Sequence, residues 1–279
     1  MQHYKAGMIQ MLVEANHVQK NLELAKKLIK EARDRGCSIA ILPECFDLGW
    51  ANPDAFILAS PIPGLVSNTL CDIARDNGLF IVAGITEKEN EKVYNTAVLI
   101  SDTGELLAKH RKINILTHVE GMYCVGNILS VTDTKLGKIG MSICADNSEG
   151  STCIAHSLAR MGAQVIFSPS SWAVPPGFDN EKTPYGDEWL RPYKQLSQLY
   201  DITIVAVSNV GPVTVGAWKG WNCIGNSIAM GPGGERLVVM PHGVDAMLVH
   251  VIEVNLIEAA ARGTGLVDIL AKRGYKTNN

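Results

Sequence analysis

The sequence predicts an α/β protein built from sheets covered by helices, in layers. Three observations lead there. Strand-like and helix-like segments alternate along the chain. Short turns between pairs of strands mark hairpins at Asp102-Thr103-Gly104, Lys135-Leu136-Gly137 and Pro232-Gly233-Gly234, so antiparallel pairs sit among the helix crossovers. No linker or low-complexity tract divides the 279 residues, so residues 1–279 are expected to form a single domain.

The elements follow in order. Tyr4–Val13 reads as a strand. Asn16, with Gln19 three residues on, reads as a capping box opening a helix. Val18, Leu22, Ala25, Leu28, Ile29 and Ala32 then repeat at helical spacing, and Gly36 closes the helix. Ser38–Leu42 is a short apolar run of the kind found in buried strands, stopped by Pro43. Val66–Asn77 reads as a helix closed by Gly78, and Leu79–Gly84 as a strand. Val93–Ser101 pairs with Glu105–Lys112, and Ile128–Thr134 with Lys138–Cys144. Ser151–Met161 is a helix, Gln164–Ser168 a strand, Asp187–Tyr200 a helix and Ile202–Ser208 a strand. Ser227–Gly231 and Glu235–Met240 form a last hairpin, and strand Ala246–Val254 and helix Leu256–Arg262 complete the set. The longest irregular stretch, Ser170–Gly186, carries Trp172, Phe178 and Tyr185. It is either a lid or binding loop, or a surface excursion.

Composition narrows the function. With 47% hydrophobic and 19% charged residues the chain is globular. A net charge of −3 leaves no footprint for nucleic acid or an anionic membrane. The N-terminus lacks the charged-then-apolar pattern of a signal peptide, and no apolar run approaches the roughly 20 residues of a membrane span. A cytoplasmic location is expected. The seven cysteines include no Cys-x-x-Cys pair, so neither a metal nor a redox motif is expected, and the thiols should be free.

Three segments bring chemistry to strand ends. Lys138–Ile143 leads a buried strand into Cys144, where a thiol at the mouth of a sheet meets ligands in open α/β folds. The alternative is an inert core cysteine. Ile41-Leu42-Pro43-Glu44 sets a carboxylate just beyond another buried strand, either a solvated loop residue or a general base. Lys109-His110-Arg111-Lys112 closes a third strand, as a solvated basic run or with Lys112 turned into a site. As a set they make a working nucleophile. A thiol with a reference pKa of about 8.5 needs a base. Glu44 can take its proton, and Lys112 with a backbone N–H such as that of Ala145 can hold the oxyanion formed when sulfur attacks an amide carbon.

These residues resemble the nitrilase superfamily of carbon–nitrogen hydrolases, whose Glu–Lys–Cys triad occurs in this chain order. Leu42-Pro43-Glu44 resembles the glutamate motif. Arg111-Lys112 followed by Glu120 and Gly126 resembles the lysine block, and Ile139-Gly140 through Cys144-Ala145-Asp146 the cysteine block. Leu158–Ala163, Ser168–Trp172, Val207–Gly211 and Gly231–Glu235 resemble the later motifs. The resemblance implies a four-layer α-β-β-α sandwich, no metal or organic cofactor, and homodimers or larger homo-oligomers. It implies that Glu44, Lys112 and Cys144 are catalytic, with Glu120 orienting Lys112 and the substrate. Trp50, Ala145, Asp146 and Trp172 are taken as pocket walls, with Trp189, Trp218 and Trp221 as candidates for the far side. Ala145 departs from amidase-like members, which usually carry an aromatic residue there, and Ala145-Asp146 departs from true nitrilases, which usually show tryptophan then glutamate; the second departure favours a small amide or N-carbamoyl compound over a nitrile. The alternatives are a nitrilase, or a binding protein that kept the fold without turnover. A Cys–His protease would require His156 to reach Cys144.

Overall fold

The computed structural model describes residues 3–257 and Gly274. Its first sheet is assembled from strands β1 (His3–Gln10), β2 (Ile39–Ile41), β3 (Phe80–Glu89), β4 (Lys92–Ile100) and β5 (Leu106–Arg111), with helices α1 (Val18–Asp34), α2 (Ala55–Leu58) and α3 (Leu65–Asn77) between them. The chain continues through β6 (Val131–Thr134), β7 (Gly137–Met141), α4 (Thr152–Arg160), β8 (Val165–Ser170), β9 (Ala173–Val174), α5 (Asp187–Tyr200), β10 (Thr203–Ser208), β11 (Val210–Pro212), β12 (Asn222–Ile224), β13 (Ile228–Met230), β14 (Arg236–Val239) and β15 (Leu248–Asn255).

Two six-stranded sheets result, ordered β15-β1-β2-β3-β4-β5 and β14-β13-β10-β8-β7-β6, with β11-β12-β9 as a small third sheet. Each large sheet has three parallel strands at its centre and antiparallel strands outside them. Helix crossovers supply the parallel pairs and tight turns join β3–β4, β4–β5, β6–β7 and β13–β14, while β15 and β13 return from farther along the chain to pair with β1 and β10.

Side-chain alternation stacks the layers. In β1–β3, Tyr4, Ala6, Met8, Ile39, Ile41, Phe80 and Val82 face the second sheet. Ile9, Ala40, Ile81, Ala83 and Ile85 point the other way, onto Leu22, Leu28 and Ile29 of α1 and Leu70 and Ile73 of α3. Such strict period-two division is what a strand buried on both faces produces. The far face of the second sheet is covered by Ile154 and Leu158 of α4 and Trp189, Tyr193 and Leu196 of α5. The architecture is therefore the four-layer α-β-β-α sandwich of the nitrilase-like fold. Each fully buried aliphatic side chain contributes roughly 1.5–3 kcal/mol.

Several boundaries differ from those read in the sequence. The capping box at Asn16 does not form: α1 starts at Val18, with no side-chain cap on His17. Asn16 sits at φ 66° instead, donating to Asp54 at 2.7 Å and accepting from Asn52 at 2.6 Å. The strand after Gly78 runs five residues past Gly84, to Glu89, because it pairs along its whole length with β4 across a second tight turn at Asn90–Glu91. The strand leading to Cys144 ends at Met141. The helix expected at 256–262 falls largely outside the described residues. Among those described, no helix is long and apolar enough to cross a membrane.

Candidate active site

Glu44, Lys112 and Cys144 are carried past the C-terminal ends of β2, β5 and β7. The Glu44 backbone N–H donates to the Ser170 carbonyl at 3.2 Å, which ties the end of the first sheet to the end of β8 in the second. Gly84 makes the approach possible. Its N–H donates to the Pro43 carbonyl at 3.1 Å, and a Cβ there would lie 2.6 Å from Glu44 Cα and 2.8 Å from Pro43 O. Lys112 directly follows β5. Its N–H donates to Asn95 O and its carbonyl accepts from Gly126 N, each at 2.8 Å.

The Lys112 ammonium bridges two carboxylates, donating to Glu44 Oε1 at 2.8 Å and Glu120 Oε1 at 2.7 Å. All three side chains are 0% exposed. Asn95, which the sequence reading did not single out, donates from Nδ2 to Glu44 Oε1 at 2.6 Å and to Glu120 Oε1 at 3.3 Å. Glu120 also accepts from Trp50 Nε1 at 2.7 Å, and from Leu116 N at 2.9 Å on Oε2. Glu44 Oε2 is buried without a partner.

Cys144 opens a 3₁₀ turn, Cys144–Asn147, at φ 42°. A left-handed conformation in a residue with a Cβ costs about 1–3 kcal/mol and is retained only where surrounding contacts impose it. Burial raises the Cys144 thiol pKa well above its ordinary value. The Glu44 and Glu120 carboxylates push it further up, while Lys112 and the Ser171 backbone N–H pull it down. The resting thiol is thus protonated and within the electrostatic reach of both carboxylates. Burial also lifts Glu44 to about 7, against the pull of Lys112. For Lys112 burial alone would lower the pKa, but Glu44 and Glu120 hold it well above the ordinary lysine value. The assembly is a neutral thiol, a carboxyl that titrates near neutrality with one open oxygen, and a permanent cation, which is the inventory for nucleophilic acyl transfer.

The pocket-wall residues divide. Trp50 stands edge-on to Trp218 at 5.2 Å and spends its N–H on Glu120. Trp172 is fully buried and stacks on Trp189 at 5.1 Å. Ala145 is buried, its carbonyl accepting from Asn114 Nδ2 at 2.7 Å. Asp146, expected to face the pocket, is occupied by protein donors. Its Oδ1 accepts from Ile113 N and Asn114 N (3.1 and 2.8 Å), and its Oδ2 accepts from Ile143 N at 3.0 Å and meets His110 Nε2 at 2.8 Å. It buckles the segment after Lys112 to the turn holding Cys144. His156 binds the Tyr200 hydroxyl at 2.8 Å, and no Cys–His pair is made with it. Trp221 stacks on Trp218 at 4.0 Å. Residues 177–181 border a groove of about 410 Å³ with His242 and Val244. The signal that could have found Asn95 is an amide in the middle of the apolar run Val93–Ile100: a buried polar side chain on a central strand needs a partner.

At its strand ends the four-layer sandwich carries a buried ammonium between two carboxylates, with a buried cysteine within their electrostatic reach. The chain belongs to the carbon-nitrogen hydrolase family, whose profile matches residues 5–262. It is 35% identical to a nitrilase of Pyrococcus abyssi over 176 residues, 61% of this chain and 66% of that protein. It is 32% identical to an omega-amidase of Xenopus laevis over 187 residues, 63% of this chain and 67% of that protein. The chain thus matches about two thirds of the length of these relatives. The crystal structure of a carbon-nitrogen hydrolase from Helicobacter pylori superposes with a TM-score of 0.81 at 20% identity, covering 91% of this chain and 89% of that one.

Proposed function

We propose that this protein hydrolyses a non-peptide C–N bond in a small amide or N-carbamoyl compound, through a thioester on Cys144. The observation that carries the reading is the Lys112 ammonium shared by two buried carboxylates, one of which keeps an open oxygen and raises the Cys144 pKa. Glu44 Oε2 takes the thiol proton as sulfur attacks the carbonyl carbon. Lys112 has three donors and two are engaged by carboxylates, which leaves one for the developing oxyanion beside a backbone N–H such as that of Ala145. One such donor is worth about 2.7–4 kcal/mol of barrier. The proton on Glu44 then passes to the leaving nitrogen, ammonia or amine departs, and the same carboxylate draws a proton from water as it opens the thioester. Glu120 holds Lys112 between the two carboxylates.

The working unit we propose is a homodimer or larger homo-oligomer of one carbon–nitrogen hydrolase domain, cytoplasmic and acting on a small molecule without metal or organic cofactor. The omega-amidase relative favours an amide, and Ala145-Asp146 in place of the tryptophan–glutamate pair usual in nitrilases argues against a nitrile. The nitrilase relative keeps a second reading open, a nitrile converted to a carboxylate. Ammonia release from a panel of small amides, N-carbamoyl amines and matched nitriles separates the two. Amides or carbamoyl compounds are expected to turn over faster than the nitriles of the same side chain. Faster nitriles would transfer the assignment to the second reading, and no ammonia from any of them, with the fold intact, would leave a binding protein.

A further inference from the structure

The chain treats the two carboxylates on Lys112 differently. Glu120 Oε1 receives Lys112, Trp50 and Asn95, and its Oε2 receives the Leu116 N–H. Glu44 Oε1 receives Lys112 and Asn95, and its Oε2 receives nothing. Two carboxylates and one ammonium, all fully buried, carry one negative charge too many for a dry site, so a proton is stabilised there. The hydrogen-bond pattern leaves room for it on Glu44 Oε2, and that oxygen serves as a base once the proton has left.

Asn95 sits where this division is made. It lies on β4 opposite Thr86 of β3 and is 0% exposed. Its main-chain carbonyl accepts the Lys112 N–H at 2.8 Å, so one residue fixes both the backbone of Lys112 and, through its side-chain amide, the carboxylates the Lys112 ammonium meets. An amide nitrogen has two hydrogens, and these are directed to one oxygen of each carboxylate. The orientation follows from chemistry, because only the NH₂ end can face two carboxylate oxygens. We propose that Asn95 is a positioning residue for the base, occupying Glu44 Oε1 so that Oε2 is left to take the thiol proton, while Lys112, Trp50 and the Leu116 N–H hold Glu120 in place.

The inference rests on Glu44 serving as base to Cys144, and its test uses no substrate. The rate of Cys144 alkylation by iodoacetamide is followed from pH 5 to 9, with peptide mass spectrometry to separate this cysteine from the other six. In the wild type the rate is expected to rise with ionisation of Glu44, and Glu44→Gln to abolish that rise. Asn95→Ala withdraws a donor from ionised Glu44, so the rise is expected about one pH unit higher. Asn95→Ser provides the same test if the alanine variant does not fold. Trp50→Phe withdraws a donor from Glu120 alone and is expected to leave the rise where it is. A merely structural amide would lower the melting temperature of the Asn95 variants without moving the rise. An unmoved rise in the Asn95 variants, or an equal shift in the Trp50 variant, would overturn the proposal. A protein that hydrolyses no amide in the panel still yields this pH profile, so the two failures are distinguishable.

Discussion

Lys112 is the residue at which stability and chemistry meet most directly. A buried ammonium is tolerated because two carboxylates face it, and they in turn are tolerated because of it. Lys112→Met is expected to destabilise the fold by about 3–5 kcal/mol near neutral pH, the usual result of stripping one partner from a buried ion pair, as urea unfolding would show. The deficit should shrink at pH 5, where Glu44 takes up a proton. The sign follows from linkage. Glu44 has a folded pKa raised by burial from 4.5 to about 7. Its contribution is thus fully present below 4.5 and is lost as pH rises through about 7. Melting temperatures of wild type and Glu44→Gln should accordingly diverge in favour of the glutamine variant between pH 5 and 8. For turnover the same group acts in the opposite sense, since only its ionised form accepts a proton. The acid limb of kcat/KM is expected near pH 7 and absent in Glu44→Gln.

Asp146 shows the reverse linkage. Burial alone would raise its pKa, but the His110 and backbone hydrogen bonds outweigh that and hold it below the ordinary aspartate value. Its stabilisation is present above the unfolded pKa and is lost as pH falls through the folded one. Asp146→Ala leaves several buried donors without an acceptor, each costing about 1–3 kcal/mol, so a loss of several kcal/mol in urea unfolding at pH 7 is expected, narrowing toward pH 3. No narrowing would mean that the residue acts through packing.

At the scale of elements, the strands do the positioning and glycine sets their closest approach. Gly84→Ala places a Cβ against Glu44 Cα and Pro43 O. A backbone shift costing about 1–3 kcal/mol is expected, together with a fall in kcat larger than any change in KM, because the displaced group is Glu44. The ends of β2 and β5 were legible in the sequence because a short apolar run stops at Pro43 and a basic cluster closes at Lys112, whereas β7 stops at Met141, short of the expected Cys144. The long pairing of β3 with β4 was less legible: Thr86–Glu89 and Lys92 are polar enough to read as loop, yet they are hydrogen-bonded along the whole register. Asn16 misled for a related reason. A side chain suited to capping a helix found Asp54 and Asn52, partners 38 and 36 residues away that no local pattern displays. Asn95 lay in plain view as a polar residue among apolar ones, but its meaning depends on three partners from distant segments.

For the whole molecule, two sheets packed face to face bring three remote stretches of chain to one edge, and the Glu44–Ser170 backbone bond is a direct tie between them there. Layering was readable from alternation alone. The stacking of helices outside both sheets was implied by family resemblance and is set in the structure by which face of each strand turns to α1 and α3 or to the second sheet. The measurement that bears most directly on this whole arrangement is mass spectrometry of the Cys144 peptide after acid quench of a turnover mixture with a hydrolysed amide. The acyl group of the substrate is expected on Cys144, with no turnover in Cys144→Ala. Ammonia release that persists in Cys144→Ala, or an acyl group found on another residue, would contradict it.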